Sequence, residues 1–256
     1  MIKFFRHIRQ SLISQNQMSN PTSAKAAAGK YFKYAIGEIL LVVIGILIAL
    51  QINNWNESRK DAAAGRQYLN AIKVDLQKDL THADSIIKIA SYNISVISGI
   101  DSVFHRKHQH ITNLNPGLFV HPHTIIPDTI IIDYLFDRNT SFRSINGNYK
   151  SLIADGKSGL IKNKELFQEI QQIYDGEHAR LVSTYDAIKM IEQKINWAYS
   201  EEVQHWDYKD LKNAKNEKIF YDLVDFTEEK LYYALNLIRI KKASKKIIEK
   251  IENELN

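Results

Sequence analysis

A run of nineteen residues near the N-terminus, from Tyr34 to Ile52, most constrains how this chain can fold. It reads YAIGEILLVVIGILIALQI and carries one ionisable side chain, that of Glu38. An α-helix rises ~1.5 Å per residue, so the run spans ~28 Å, close to the ~30 Å hydrocarbon core of a bilayer. The run therefore predicts a transmembrane helix, which we place at residues 34–54.

The residues on either side of this helix predict its orientation. The residues before this helix include no Asp or Glu. They include six cationic residues: Lys3, Arg6, Arg9, Lys25, Lys30 and Lys33. Because Lys and Arg are retained in the cytoplasm, we expect the N-terminus inside and the C-terminus outside. The apolar run starts late and no A-x-A pattern follows it, which argues against a cleaved signal peptide. The sequence thus predicts a single-pass protein with a basic cytoplasmic tail, residues 1–33.

The charge of the chain is concentrated in that tail. The sequence has 34 basic and 29 acidic residues, and without the six tail cations 28 basic residues remain. The excess positive charge therefore favours an anionic lipid surface, and we expect the bilayer as a partner and no nucleic acid.

The remaining residues, 55–256, predict one extracytoplasmic domain of the all-α class. The prolines beyond the span, Pro116, Pro122 and Pro127, fall in one stretch and leave long helices unobstructed on either side. Apolar residues recur every three or four positions from Leu69 to Phe104, the spacing of a helix that packs in a bundle. We expect this helix to be followed by an irregular connection over residues 105–127.

The rest of the domain shows the same helical pattern. Short helices are predicted from Asp128 to Phe136 and from Asn146 to Ala154, the second ended by Gly156. Asn163 is a predicted N-cap for a long helix to Tyr199, and the last helix is predicted from Asn216 to Leu255. Together they predict an antiparallel helical bundle that follows one transmembrane helix.

The anchor resembles a known family. KYAIGEILLVVIGILIALQINNWNE, Lys33 to Glu57, is similar to the anchor of an uncharacterised family of small single-span membrane proteins from Gram-negative bacteria. The similarity continues in FFRHIRQ and in NYKSLIADGKSGLIKNKELFQEIQQIY, Asn148 to Tyr174. The family carries a domain-of-unknown-function label. The resemblance implies an inner-membrane protein with a helical periplasmic domain, and it transfers no catalytic residue and no ligand.

Histidines are the strongest candidates for a metal site. Five of the nine lie within nineteen residues: His105, His108, His110, His121 and His123. Their spacing matches neither a helical i, i+4 pair nor an H-E-x-x-H motif, so we expect exposed loop residues and no metal, with a Zn, Cu or Ni site as the open alternative. His178 lies on the apolar stripe of its helix and is expected to be a buried, hydrogen-bonded residue.

Other catalytic motifs are weak or absent from the sequence. Ala154 to Gly159, ADGKSG, lacks the first glycine of a phosphate loop and is predicted to be a helix end and turn. The chain has no cysteine, which excludes a thiol nucleophile and a disulfide. The carboxylates sit among lysines and are predicted to be solvated. We therefore expect no enzyme activity and no cofactor.

The predicted function is a membrane-anchored, non-enzymatic periplasmic interaction or scaffold module. One alternative is a ligand-sensing bundle that signals through a separate membrane protein, and another is a metal-dependent hydrolase. The residues most expected to make a contact are Glu38, Gly45 and Ala49, which lie on one stripe of the transmembrane helix. Small residues let helices approach closely, and a carboxylate inside an apolar span favours a protein contact. The predicted partner is a second copy of the chain or another membrane protein.

Overall fold

The computed structural model describes residues 24–115, 118, 127–129, 141–203 and 205–256. These residues are helical with short connections, and no strand occurs among them. The predicted all-α fold class is confirmed for this part of the chain. Most of the predicted tail, residues 130–136 of the predicted short helix, and the residues His121 and His123 lie outside the described residues.

The first described helix, α1, extends from Ala24 to Ile100. Its 77 residues include no proline, so no position in it lacks a backbone donor. The chain divides into two compact units between Lys60 and Asp61, and the second unit ends at Asn256.

The first unit contains the apolar run. From Ile36 to Ile52 its large apolar side chains are exposed, with exposed fractions of 64% for Ile39 and 59% for Leu47. The helix here is long and apolar enough to cross a membrane.

The structure differs from the prediction after Ile100. Helix α1 ends at Ile100, and a new helix, α2, covers Ser102–Leu114. Asp101 separates the two, and its carboxylate accepts a hydrogen bond from the backbone N–H of Val103 at 2.9 Å. Side-chain oxygens of aspartate bind the free N–H groups at a helix start, which explains why a helix restarts here. The predicted continuous helix to Phe104 and the predicted irregular connection over residues 105–114 are both wrong.

The next helices agree with the capping residues in the sequence. Helix α3 covers Gly147–Ala154 and is followed by Gly156 at φ 65°, a conformation that favours glycine. Helix α4 covers Lys164–Gln171, and the Asn163 side chain accepts a hydrogen bond from the N–H of Leu166 at 3.1 Å. A short 3-10 helix, Ser158–Leu160, lies between them.

A π-helical segment, Gln172–His178, continues α4 directly into helix α5, Ala179–Val203. The sequence predicted one regular helix here. A π-helix inserts an extra residue per turn and changes which side chains face inward.

The chain ends in α6, Tyr208–Asn213, and α7, Lys218–Leu255. Asp207 and Asp210 form a reciprocal capping box at the start of α6. Helix α7 contacts α4, the π-helical segment and α5.

Two apolar clusters hold the second unit together. Cluster 1 is built mainly from Ala83–Ile97 of α1, Leu181 and Ile188 of α5, and Ile219–Ile240 of α7. Cluster 2 joins residues of α1, α3, α4, the π-helical segment and α7: Leu69, Ile72, Leu76, Tyr149, Leu152, Leu166, Ile170, Tyr174, Ile247 and Ile251. Helices α1 and α7 contribute to both clusters, so burial of their apolar stripes is what joins the elements.

Replacing Gly65 by Ala is expected to destabilise the second unit. A Cβ at this position would lie 2.5 Å from the carbonyl oxygen of Leu160, a backbone atom that cannot turn away. Overpacking of this kind costs ~1–3 kcal/mol, so the melting temperature followed by circular dichroism should fall by several degrees. Gly147→Ala is the matched control, because a Cβ there meets nothing within 4 Å and its melting temperature should not fall. Equal melting temperatures of the two variants would contradict the close packing of α1 on Leu160.

Candidate functional site

The residues predicted to make a transmembrane contact lie exposed on α1. Glu38, Gly45 and Ala49 are all on the solvent-accessible surface of the first unit. A Cβ added at Gly45 would meet no atom of the described residues within 4 Å. The stripe is therefore accessible to a second helix, and the contact itself stays a prediction.

The described histidines of the predicted loop lie on α2. His108 is 1% exposed, and its ring packs 4.7 Å from that of Phe104. Its Nε2 lies 3.6 Å from a carboxylate oxygen of Glu228; burial lowers the pKa of His108, and the Glu228 charge opposes that shift. The expectation of an exposed loop residue is wrong for His108, because it lies on the inner face of a helix. No group of three His, Asp or Glu residues among the described positions could hold a metal ion.

The prediction that carboxylates are solvated is wrong for Asp75 and Asp79. These residues of α1 are 4% and 3% exposed. Asp75 lies three residues after Ile72, and Asp79 lies three residues after Leu76. Each aspartate is therefore next to the apolar stripe, on the same side of the helix. The 141–149 segment, an irregular stretch followed by the first turn of α3, covers them through hydrogen bonds to both carboxylates. Only the tertiary structure supplies that cover.

Three hydrogen bonds attach the 141–149 segment to the long helices. The backbone N–H of Ile145 donates to Asp79 Oδ1 at 2.9 Å, and the Asn148 amide donates to Asp75 Oδ2 at 2.8 Å. The backbone N–H of Phe142 donates to the hydroxyl of Tyr233 on α7 at 2.9 Å. Both buried carboxylates are thus acceptors for this one segment.

Aromatic rings of the 141–149 segment pack against the π-helical segment. Tyr149 stacks on Tyr174 of the π-helical segment, with ring centroids 4.7 Å apart, and its hydroxyl donates to Asp175 at 2.5 Å. The Tyr174 ring meets His178 edge-on at 5.2 Å, and Phe142 lies 5.4 Å from His178. Tyr174 and His178 are both buried, so they lie on the inner face of the π-helical segment.

Four polar atoms in this region are buried and have no hydrogen-bond partner among the described residues. They are Asp79 Oδ2, the Tyr174 hydroxyl oxygen and both ring nitrogens of His178. His178 is buried, as the sequence predicted, and the expected hydrogen bond is not found in the described part of the chain. Most buried polar groups in proteins are satisfied, so orphaned ones mark a site of strain or function.

We call five buried polar residues the polar layer, because they lie at or beside the boundary between the two apolar clusters: Asp75, Asp79, Tyr174, His178 and Ser244. Along α1, Asp79 lies between Leu76 of cluster 2 and Ala83 of cluster 1. Along α7, the buried Ser244 lies between Ile240 and Ile247 in the same way. The core is therefore interrupted at one level, and that level includes the π-helical segment.

The electrostatics of the polar layer follow from burial. Burial raises the pKa of Asp79 to about 7, the hydrogen bond from Ile145 opposes the shift, and the neighbouring charge of Asp75 adds to it. Burial lowers the pKa of His178 to about 4. Burial also raises the pKa of Tyr174, and the charges of Asp79 and Asp75 raise it further. The layer can therefore hold a proton on a carboxylate near neutral pH while its histidine is uncharged.

Replacing His178 by Gln is expected to change how stability depends on pH. The folded-state pKa of His178 lies below the ordinary value of 6.5, so unfolding is coupled to proton uptake. Its contribution to stability is present above pH 6.5 and is lost as the pH falls towards 4. The melting temperature of the wild type minus that of His178→Gln should therefore fall between pH 7 and pH 4.5.

His205→Gln is the control for this measurement, since the His205 side chain is exposed. A melting-temperature difference for His178→Gln that stays constant between pH 7 and pH 4.5 would contradict the burial of an uncharged imidazole.

Comparison with known proteins gives one match. Residues 38–121 match a family whose description is "Family of unknown function (DUF6090)". No curated protein and no solved structure matches the chain. The match begins within the apolar run, extends through α2 and covers about a third of the chain. The predicted resemblance to an uncharacterised family of unknown function is confirmed.

Proposed function

We propose that this protein is a membrane-tethered, non-enzymatic interaction or scaffold module. In this proposal residues 34–54 cross the bacterial inner membrane, the N-terminus is cytoplasmic, and residues 55–256 form an antiparallel bundle in the periplasm. The observation that carries the proposal is the contrast between the units. The first exposes an unbroken run of large apolar side chains, and the second buries its own in two clusters.

That contrast favours lipid as the environment of the first unit. Soluble proteins rarely expose a contiguous apolar surface of more than a few hundred Å². Trp55, directly after the run, is 64% exposed and lies under the guanidinium of Arg59 at 5.7 Å. An aromatic ring beside a cation is typical of the level where a helix leaves the hydrocarbon region.

The stripe of Glu38, Gly45 and Ala49 supports an interaction within the membrane. A carboxylate that faces lipid is unfavourable by ~2–3 kcal/mol at the centre of a bilayer and less near its surface. A neighbouring helix could approach closely at Gly45, where no described side chain occupies the surface. A second copy of the chain, or another membrane protein, would provide a hydrogen bond to Glu38.

The burial of the polar layer supports a non-enzymatic function. Asp75, Asp79, Tyr174 and His178 are each at most 6% exposed. A substrate would reach these groups only after the covering segment had moved. Catalytic constellations instead place their nucleophile or base in an open cleft.

A ligand-sensing bundle is the second candidate. The observation that favours it is the set of orphaned atoms on Asp79, Tyr174 and His178, since a core built only for stability would satisfy or omit them. In this version the chain would pass its signal to a separate membrane protein through the same transmembrane stripe.

The proposed topology predicts the activity of fused reporters. A reporter that is active only in the periplasm should be active when it is fused after Lys60 and silent when it is fused after Lys30. The physical reason is the retention of the six tail cations on the cytoplasmic side. The reverse pattern of activity would overturn the proposed compartments.

The proposed contact predicts the effect of two substitutions in the span. Gly45→Leu should weaken self-association or partner binding measured in membranes, because a large side chain separates the two backbones. Leu47→Ala is the control, since position 47 lies on the opposite face of the helix. If both variants associate as strongly as the parent, the stripe is not an interface.

A further inference from the structure

Asp79 is a carboxylate buried at the level where the core changes from one apolar cluster to the other. Its Oδ1 accepts the backbone N–H of Ile145, and its Oδ2 has no partner among the described residues. A buried carboxylate is stable when it is ionised only if cations or several donors surround it. One backbone N–H on one oxygen is the whole set of donors shown for Asp79.

Among the described groups around Asp79, the charge of Asp75 opposes its ionisation. Asp75 lies one turn earlier on the same face of α1 and is itself buried. From the π-helical segment come Tyr174, whose hydroxyl is uncharged, and His178, which is neutral above about pH 4. Helix α7 supplies Ser244, and its Lys241 pairs with Asp84. His82, one turn after Asp79, stacks on Phe142 at 5.5 Å and is exposed.

Two carboxylates one turn apart, both out of water, cannot both carry a charge at low cost. The neutral form of Asp79 fits the site, because its oxygen still accepts the N–H of Ile145 and the repulsion from Asp75 disappears. The charged form needs water at Oδ2. Water can enter most directly if the 141–149 segment, which covers both aspartates, moves away.

We propose that proton binding by Asp79 latches the 141–149 segment onto helix α1, so that this segment undocks as the surrounding medium becomes alkaline. The proton is then the ligand of the polar layer. This inference deepens the sensing version of the proposed function and rests on it for its biological meaning, because a periplasmic domain experiences the pH of the external medium.

The direction of the effect follows from linkage. The pKa of Asp79 is raised in the docked state, and water would return it towards 3.8 in the undocked state. Docking is therefore most favourable below pH 3.8, weakens as the pH rises, and reaches a constant level above about pH 7. The contribution of His178 to stability instead falls as the pH drops below 6.5. The effect of Asp79 is therefore measured by comparing the wild type with a variant in which only the Asp79 carboxylate cannot ionise.

The test is amide hydrogen exchange of the 141–149 segment in the full chain in detergent, read by mass spectrometry at pH 5 and pH 7.5. Asp79→Asn keeps an oxygen for the N–H of Ile145 and cannot ionise. The ratio of wild-type to Asp79→Asn exchange rates should rise by about tenfold or more between the two pH values. Taking the ratio at each pH removes the intrinsic pH dependence of exchange.

Asp61→Asn is the matched control, an exposed aspartate on the same helix, and its exchange in this segment should follow the wild type at both pH values. An unchanged ratio of wild-type to Asp79→Asn rates would overturn the latch. If Asp79→Asn does not fold, Asp75→Asn replaces it. This substitution removes the charge next to Asp79, so exchange of the segment should rise less between pH 5 and pH 7.5 in Asp75→Asn than in the wild type. An undiminished rise in Asp75→Asn would also overturn it.

The experiment in detergent does not depend on which side of the membrane the domain occupies. A failed latch with the expected reporter activities would leave the membrane-tethered module intact. A working latch with reversed reporter activities would place the same device in the cytoplasm.

Discussion

Burial of the apolar stripes of α1 and α7 is the interaction on which the second unit depends. Each helix contributes to both apolar clusters, and α4, the π-helical segment and α5 provide the surface against which they pack. At roughly 25 cal/mol per Å² of buried apolar surface, these clusters outweigh any single polar contact in the domain. The chain has no disulfide to assist them, so its stability rests on this packing.

The polar layer is unfavourable to this packing and is confined to one level of it. Asp75 and Asp79 are retained in the core because a single covering segment supplies hydrogen bonds to both. The same segment is tied to α7 through Phe142 and Tyr233. A change of charge at Asp79 therefore affects a segment that contacts two long helices. A change of charge at an exposed aspartate is accommodated by solvent. Local openings of this kind cost less free energy than global unfolding, which is what a responsive element requires.

The two units place opposite demands on their apolar residues. In the second unit, leucine and isoleucine side chains are buried within the protein, and in the first unit they are exposed along one helix. Water would penalise the second arrangement, while hydrocarbon would stabilise it, because every backbone group of the helix is already satisfied within it. In the membrane proposal, the apolar side chains of both units are removed from water, by the protein core in the second unit and by the lipid hydrocarbon in the first.

The sequence by itself determined the apolar helix, the all-α class and several helix ends. These features are local: hydrophobic length marks the span, and side chains such as Asn163 and a glycine such as Gly156 act on the nearest turn. The break at Asp101 was also local and was missed, because the apolar period continued through it. The burial of Asp75, Asp79 and His108 was not predicted, because a polar side chain beside an apolar stripe is buried only when a distant segment covers it. The burial of His178 was predicted from its place on an apolar stripe, but the π-helical turn that contains Tyr174 and His178 was decided by tertiary structure alone, because no local signal distinguishes it from an ordinary helix.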